Sequence, residues 1–181
     1  LPMILTDTRI REAIRSGAIV IEPFDDGNLG ANSYDVHLGG EMAVYRDDVL
    51  DARKHNQVDR FSIDAKDGYV LMPGRTYLGV TVEYTETHTT VPFLEGKSSV
   101  GRLGIDIHAT AGKGDVGFCN HWTLEISVHQ PVRVYSGMPI AQLIYFEISG
   151  EVQTLYRDKK SAKYNQRSPR PVESMMWMNP F

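Results

Sequence analysis

Residues 78–84 read Leu-Gly-Val-Thr-Val-Glu-Tyr, a pattern in which every second side chain is bulky and apolar. Such alternation places the apolar side chains on one face of a β-strand and the small or polar ones on the other. The alternation recurs at 123–128 and continues through 132–134 and 140–146, with a Gly-Met-Pro turn at 137–139. Many short strands, frequent turns and little helix predict a mainly β fold, an antiparallel barrel or jelly roll.

The rest of the chain adds few elements to these strands. Residues 1–18 predict one short N-terminal helix, and 19–21 and 34–38 predict two short strands. Residues 46–68 are charged and weakly periodic, which indicates an exposed excursion with a hairpin. Residues 150–181 are basic and poor in apolar side chains; composition favours a solvated, partly disordered tail, and the alternative is a flap that orders on an anion. With no repeat or second domain visible, the whole chain is predicted to be a single domain.

The composition excludes several classes of protein. The 181 residues are 41% apolar and 23% charged with a net charge of −4, which is ordinary for a globular protein and gives no global basic field for nucleic acid. Cys119 is the sole cysteine, so neither an intrachain disulfide nor a zinc site built on cysteine pairs can form. The sequence shows no signal-peptide or membrane-span pattern, and we expect a cytoplasmic protein with no nucleic-acid or membrane partner.

The segment 96–104, Gly-Lys-Ser-Ser-Val-Gly-Arg-Leu-Gly, which we name the serine motif, concentrates cations, hydroxyls and glycines. Lysine, arginine, hydroxyl and backbone N–H groups are the donors that phosphate oxygens need, and glycines let the backbone approach closely. The segment is not a Walker loop, because the spacing Gly-x4-Gly-Lys-Ser/Thr is absent. On these grounds it is either a phosphate site or an ordinary polar turn.

Three titratable side chains further along could carry chemistry. Asp115 has a glycine before it and another two residues after it, so it is either a turn residue or a carboxylate presented to a sugar hydroxyl or a water. His108 on its own fits a core or surface role better than a catalytic one. Glu125 lies on the polar face of an alternating strand, between Thr123 and Ser127. It is a surface residue if that face meets solvent, and a candidate general acid or base if the face lines a pocket.

Together these residues resemble the dCTP deaminase branch of the dUTPase superfamily. That family carries Gly-Arg-Ser-Ser-x-x-Arg-Leu-Gly, then a histidine, then Thr-Ala-Gly-x-x-Asp-x-Gly-Phe, then Thr-Leu-Glu. The matching residues of this chain are Ser98, Ser99, Arg102, Leu103, Gly104, His108, Thr110, Ala111, Gly112, Asp115, Gly117, Phe118, Thr123, Leu124 and Glu125. So many matches at fixed spacing argue strongly against chance.

The similarity covers most of the chain. Residues 3–7 resemble the opening helix of the family, 32–39 its Ser-x-Asp-Leu-Arg-Leu-Gly strand, and 137–143 its Gly-x-x-Ile-x-Gln-Leu turn and strand. Residues 161–169 resemble its C-terminal flap. The resemblance implies a homotrimer of distorted jelly rolls with active sites at the subunit interfaces. It also implies that the tail closes over the nucleotide.

The resemblance further implies a deoxynucleotide site. A triphosphate would be cradled by the serine motif, with Mg²⁺ bound through the triphosphate rather than by protein side chains, and with no zinc. The residues implied to bind the substrate are Lys97, Ser98, Ser99, Val100, Gly101, Arg102, His108, Asp115, Phe118, Thr123, Leu124, Glu125, Gln142, Tyr156, Lys163 and Gln166.

The reaction that the resemblance implies is deamination of dCTP to dUTP and ammonia. Glu125 would take a proton from a water that Ser98 and the Ala111 carbonyl help to hold, and the hydroxide would attack C4 of cytosine. Glu125 would then pass the proton towards the base. Arg102 would help to fix the charge state of the serine and the glutamate.

Two residues are assigned to the sugar by the same resemblance. Asp115 would bind the 3′-hydroxyl, and Phe118 would pack on the deoxyribose and leave little room for a 2′-hydroxyl. The usual cytidine deaminases make their hydroxide on a zinc ion held by His and Cys ligands. With Cys119 alone, that route is closed.

Five positions depart from the family pattern. Lys97 stands where arginine is usual and lacks its bidentate fork. His37 also replaces an arginine, in the early strand. The pair at 113–114, Lys-Gly, replaces a bulky apolar residue and an isoleucine beside the base and sugar, so base selectivity is the property it would alter. Asn120 replaces a glycine, and asparagine tolerates a left-handed backbone better than most residues.

Three other functions compete with dUTP formation. A bifunctional enzyme would continue to dUMP and pyrophosphate; residues 110–112 and Gln142 resemble such members, and Asp115 could then orient the water that attacks the α-phosphate. The other two are a dUTPase without deaminase activity and a catalytically silent nucleotide sensor. The intact serine, arginine and glutamate of the pattern argue against both.

Overall fold

A computed structural model describes residues 3–108 and 111–181, and strands dominate this part of the chain, as predicted. The helices are α1 (Asp7–Arg15) and α2 (Ser98–Gly101). The strands are β1 (Ile19–Glu22), β2 (Tyr34–His37), β3 (Glu41–Tyr45), β4 (Val58–Ser62), β5 (Tyr69–Leu71), β6 (Tyr77–Thr87), β7 (Thr90–Gly96), β8 (Ile105–Asp106), β9 (Cys119–Val128), β10 (Val132–Val134) and β11 (Pro139–Glu147). Within these residues, no helix is both long and apolar enough to cross a bilayer.

The described strands pair antiparallel in three sheets around one apolar core. The largest sheet has the order β4-β3-β6-β9-β8, and β1 also pairs with β6. A second sheet has the order β2-β11-β7, and β5 pairs with β10. Fully buried side chains from the separate sheets meet between them, among them Tyr34, Leu71, Leu94 and Leu124. Burial of such side chains is the main favourable contribution to folding.

Strand β9 keeps the alternation that its sequence predicts. Leu124 and Ile126 are fully buried in the core, whereas Thr123, Glu125 and Ser127 are partly exposed on the other face. This period of two fixes the direction of Glu125, because a slip of one residue would turn it into the core.

Strand β6 does not keep its predicted alternation. Thr81 and Glu83 are buried, at 1% and 2% exposure, whereas Val82 is 39% exposed. The cause is a register shift against β9 between Val80 and Tyr84, which turns the strand locally. The buried carboxylate of Glu83 is satisfied by its neighbour strand, since it accepts a hydrogen bond from the backbone N–H of His37 at 2.9 Å.

The remaining predicted elements form with shifted bounds. The N-terminal helix occupies Asp7–Arg15 and buries Ile10 against the core. The hairpin expected within 46–68 is formed by β3 and β4, so its first strand begins earlier, at Glu41. The loop at 46–57 joins these two strands and carries most of the charge of the excursion.

The C-terminal tail, residues 150–181, lies against the body of the protein. The Tyr156 N–H donates to the Val116 carbonyl at 2.9 Å, and the Ser174 N–H donates to the Tyr45 hydroxyl at 3.0 Å. Arg60 on β4 donates to the Pro171 carbonyl at 2.5 Å. The prediction of a partly disordered tail is therefore wrong, because backbone groups along the segment are hydrogen-bonded to the sheets.

Candidate active site

A cavity of about 780 Å³ lies between β9, the loop at 111–118 and the C-terminal tail. Seven residues predicted from the sequence to act on the substrate line it: His108, Ala111, Asp115, Phe118, Thr123, Glu125 and Tyr156. The polar face of β9 thus lines a pocket rather than meeting bulk solvent. Pockets of this size are typical of small-molecule sites.

Glu125 and His108 lie together in the wall of the cavity. The Nδ1 atom of the His108 ring is in direct contact with Oε2 of Glu125. The His108 side chain is 5% exposed and the Glu125 side chain 44%, so the carboxylate reaches the open part of the cavity while the imidazole lies behind it. A carboxylate backed by an imidazole can accept a proton and pass it on, which is the task of a general base and acid.

The carboxylate of Asp115 has a cation on each oxygen. Lys113 donates to Oδ1 at 2.8 Å, and Nζ of Lys159 lies 3.6 Å from Oδ2. The hydrogen bond from Lys113, with the charges of both lysines, holds the pKa of Asp115 below its ordinary value of 3.8. Asp115 is therefore an acceptor at neutral pH, as binding a sugar hydroxyl requires.

Aromatic rings close one end of the cavity. Phe118 packs on Trp122 with ring centroids 4.9 Å apart, and on Tyr156 at 5.8 Å. Gly117 has φ of +90° and sits so close to the tail that a Cβ there would lie 2.7 Å from Cβ of Leu155. The tail can approach the ring of Phe118 because this position is glycine.

Packing explains the glycine at position 114, which departs from the family pattern. A Cβ on Gly114 would lie 2.7 Å from Cη2 of Trp122 and 2.8 Å from Cγ of Pro92. Glycine at this position therefore lets the indole of Trp122 lie against the loop. The Trp122 indole N–H donates to the Thr85 hydroxyl at 2.9 Å, which fixes the ring. The loop and the indole together shape the cavity wall beside Asp115.

The serine motif does not line this cavity. Ser98 and Ser99 begin the short helix α2 and are exposed, as is Arg102 at its end. Lys97 forms an ion pair with Asp35 on β2. Gln142 on β11 donates to the Gly96 carbonyl at 3.0 Å, so it braces the start of the motif. The single chain therefore brings Glu125 and Asp115 together, and holds the predicted phosphate-binding residues elsewhere.

Other predicted binding residues lie outside the cavity or in the core. The side chains of Val100 and Leu124 are buried among apolar residues, so a ligand could reach them only through the backbone. Gly101 has no side chain and is exposed on α2. Lys163 donates to the side chain of Asn179 at 2.5 Å. Thr110 lies outside the described residues.

Sequence reasoning missed several residues of the cavity wall. Asn120 was assigned to backbone geometry, yet its side chain binds the tail and is 3% exposed. Gln166, predicted to bind phosphate, meets Asn120 through its carbonyl at 2.9 Å. Tyr45 ends β3, just before the excursion at 46–68 and far from the motif in sequence. The available signal for Asn120 was its departure from the family's glycine, which adds a polar side chain to the strand.

Among the described residues, one cluster has metal-ligand chemistry, and it lies outside the cavity. Ligand atoms of Glu86, His88 and Cys119 lie within 4.8 Å of one another. A guanidinium nitrogen of Arg157 lies 2.6 Å from Nδ1 of His88, so a cation already occupies the cluster. This donor set does not suit Mg²⁺, which prefers oxygen ligands. The prediction that magnesium binds through the triphosphate is consistent with the donors present and stays a prediction.

Comparison with known proteins shows which family the chain resembles. Residues 4–148 match the family described as dCTP deaminase-like. A protein from Cytophaga hutchinsonii named dCTP deaminase, dUMP-forming, is 48% identical over 162 residues, covering 90% of this chain and 90% of that protein. One of the same name from Clostridium acetobutylicum is 45% identical over 170 residues, covering 93% of this chain and 95% of that protein.

The fold is shared with a solved 2′-deoxycytidine 5′-triphosphate deaminase from Agrobacterium tumefaciens. The TM-score is 0.65 at 21% identity, over 83% of this chain and 50% of that one, so this chain spans about half the length of that protein. The likeness confirms the predicted fold class. With the match over 4–148 and relatives at 48% identity, the predicted resemblance is also confirmed: the chain belongs to the dCTP deaminase-like family.

Proposed function

We propose that the protein is a bifunctional enzyme that deaminates dCTP and then hydrolyses the triphosphate, giving dUMP, ammonia and pyrophosphate. The observation that carries the proposal is the contact of Glu125 with His108 in a cavity that also holds the ionised Asp115. The relatives named dUMP-forming favour this outcome over release of dUTP. The expectation that dUTP is the final product is therefore not confirmed.

Deamination begins at Glu125. Its carboxylate takes a proton from a water, the hydroxide adds to C4 of cytosine, and the C4–N bond breaks as ammonia leaves with the transferred proton. His108 lies behind the carboxylate and is placed to exchange that proton with it. The Glu125 side chain is 44% exposed, so water can reach its carboxylate.

Hydrolysis of the triphosphate assigns a second role to Asp115. Its carboxylate orients a water against the α-phosphorus, the new P–O bond forms, and pyrophosphate leaves. A magnesium ion on the triphosphate would neutralise charge as the phosphate bond breaks. Lys113 and Lys159 further stabilise the ionised form of Asp115.

The exposed serine motif supports the further proposal of a homotrimer with shared sites. Ser98, Ser99 and Arg102 are exposed on α2, outside the cavity that holds Glu125. A neighbouring copy that presents its serine motif to this cavity would supply the phosphate-binding donors and the hydroxyl that helps to hold the attacking water. Symmetric oligomers commonly build sites in this way, since one interface repeats around the ring.

One assay tests the proposed reaction. The purified protein is incubated with dCTP and magnesium, and ammonia, dUTP, dUMP and pyrophosphate are followed together. We expect ammonia and pyrophosphate in equal amounts with dUMP. Accumulation of dUTP with ammonia would leave deamination in place and remove the hydrolytic step. Absence of ammonia would overturn the proposal.

A further inference from the structure

Asn120 joins β9 to the C-terminal tail through its side-chain amide. Its Nδ2 donates to the Tyr164 carbonyl at 3.0 Å and to the Gln166 carbonyl at 2.9 Å. Its Oδ1 accepts from the N–H of Ser168 at 2.9 Å and from that of His121 at 2.9 Å. An asparagine amide has two donors and room for two acceptor contacts, so this side chain is fully used.

The contacts of Asn120 place the tail in the cavity wall. Tyr164 and Ser168, whose backbones it binds, both line the cavity. Arg167, between them, lies 4.0 Å above the ring of Tyr84 on β6, a cation–π contact that holds the same stretch from the other side. Because Asn120 binds only backbone groups of the tail, it fixes the position of residues 164–168 along β9 rather than the identity of their side chains.

We propose that Asn120 is the positioning residue that docks residues 164–168 as a wall of the cavity. At 3% exposure the amide has little access to water. Its removal would leave two carbonyls and one N–H of the tail without these partners, and each lost hydrogen bond would weaken the docking. The free-energy difference that favours the docked tail over an undocked tail would then become smaller.

The consequence for substrate binding rests on the proposed function. A nucleotide in the cavity would meet Tyr164 and Ser168 already in position, so less ordering of the chain would accompany binding. Loss of the Asn120 amide would therefore weaken binding of dCTP more than it slows the reaction. Docking of the tail does not depend on which reaction the protein catalyses.

Limited trypsin digestion without nucleotide tests the docking directly. Lys159, Lys160, Lys163 and Arg167 give cleavage sites along the tail. In Asn120→Ala we expect cleavage in the tail to be about tenfold faster than in the wild type, the effect of losing one to two hydrogen bonds. Asn120→Asp should be at least as fast, because its carboxylate keeps the acceptor for Ser168 but faces two carbonyl oxygens.

Two controls make the test decisive. Asn165→Ala removes an asparagine of the same tail whose Nδ2 bonds the Arg157 carbonyl within that segment, and it should digest like the wild type. Cleavage at Arg133, inside the paired strand β10, reports opening of the fold as a whole. An unchanged tail rate in Asn120→Ala, an equal rise in Asn165→Ala, or a parallel rise at Arg133 would each overturn the proposal.

A kinetic measurement separates positioning from a general structural role. In Asn120→Ala we expect KM for dCTP to rise about tenfold, with a smaller fall in kcat, and Asn165→Ala to keep both constants. A fall in kcat at unchanged KM would contradict the role assigned to Asn120. If the protein produces no ammonia from dCTP, the proposed function fails while the digestion result still decides the docking.

Discussion

Glu125 lies in a cavity formed within one chain by β9, the loop at 111–118 and the tail. Ser98, in contrast, lies exposed on the short helix α2. The two residues also differ in their contacts. Glu125 has His108 behind it, and in the serine motif Lys97 forms an ion pair with Asp35. One half of the proposed site is thus assembled within the chain, and the other half is presented on the surface.

The two halves of the proposed site would bind different parts of the nucleotide. The base and sugar would be bound by groups whose geometry one chain fixes, such as Asp115 and Phe118. The triphosphate would be bound by cationic and hydroxyl donors on α2 and its flanks, where the exposed Ser98, Ser99 and Arg102 could meet a neighbouring copy. Deamination should depend on the cavity, and completion of the site should depend on assembly.

The largest effect is expected for Glu125→Gln. The amide keeps the size of the side chain but cannot take a proton from water, so the rate of ammonia release should fall by about 10²–10⁴-fold. Binding of dCTP, measured by calorimetry, should change little. A variant with wild-type turnover would refute the assigned role, and Glu151→Gln, on the exposed tail, serves as the matched control.

Mixing two inactive variants tests whether the two halves come from different chains. Ser98→Ala and Glu125→Gln proteins are unfolded, combined in equal amounts and refolded together. In a randomly mixed trimer, one chain supplies the serine and its neighbour the glutamate in about a quarter of the sites, so about a quarter of the wild-type activity should return.

The control for this experiment uses two residues of the same cavity. Asp115→Asn and Glu125→Gln lie in one chain's cavity, so their mixture contains no complete site and should gain no activity over its components. Recovery in that control, or no recovery with Ser98→Ala, would show that the site is not divided as proposed.

The half of the site that lies in the cavity can be predicted from the sequence because the pattern that decides it is local. Burial along β9 follows a strict period of two, so Leu124 and Glu125 could be assigned to opposite faces from the pattern alone. The family resemblance then indicated Glu125 as the outward residue proposed to carry chemistry. No long-range information was needed for either step.

Prediction failed where a distant contact decides the structure. The alternation of β6 breaks at Thr81 and Val82 because the pairing with β9 shifts there, which its own pattern does not show. The docked tail depends on Asn120, and the residues that Asn120 binds, at 164–168, lie more than forty positions further along the chain. The serine motif was recognised from spacing, but its place relative to Glu125 depends on how copies of the chain associate.

An intermediate effect is expected for Gly114→Ala, which tests how tightly the cavity half is packed. The added Cβ would meet Trp122 and Pro92 at 2.7 and 2.8 Å, so the loop or the indole must move. Overpacking of this kind costs about 1–3 kcal/mol, and the thermal midpoint should fall by several degrees. Gly96→Ala is the control, because its nearest neighbour would lie at an ordinary 3.8 Å. Equal midpoints for the two variants would contradict the packing account.

The smallest effect is expected for Lys113→Gln, which changes the charge of the cavity without changing its shape. Lys113 lowers the pKa of Asp115, so the carboxylate is present above that lowered pKa and is lost only as the pH falls through it. Removing Lys113 should raise the pKa towards its ordinary value, and the acid limb of dCTP binding should move to higher pH. Binding to the inactive Glu125→Gln protein, titrated between about pH 2.5 and pH 6, measures this. Lys159→Gln should move the limb less, because that ammonium lies 3.6 Å from the carboxylate rather than 2.8 Å. A limb that stays in place in Lys113→Gln would mean that Asp115 does not bind the nucleotide as an ionised acceptor.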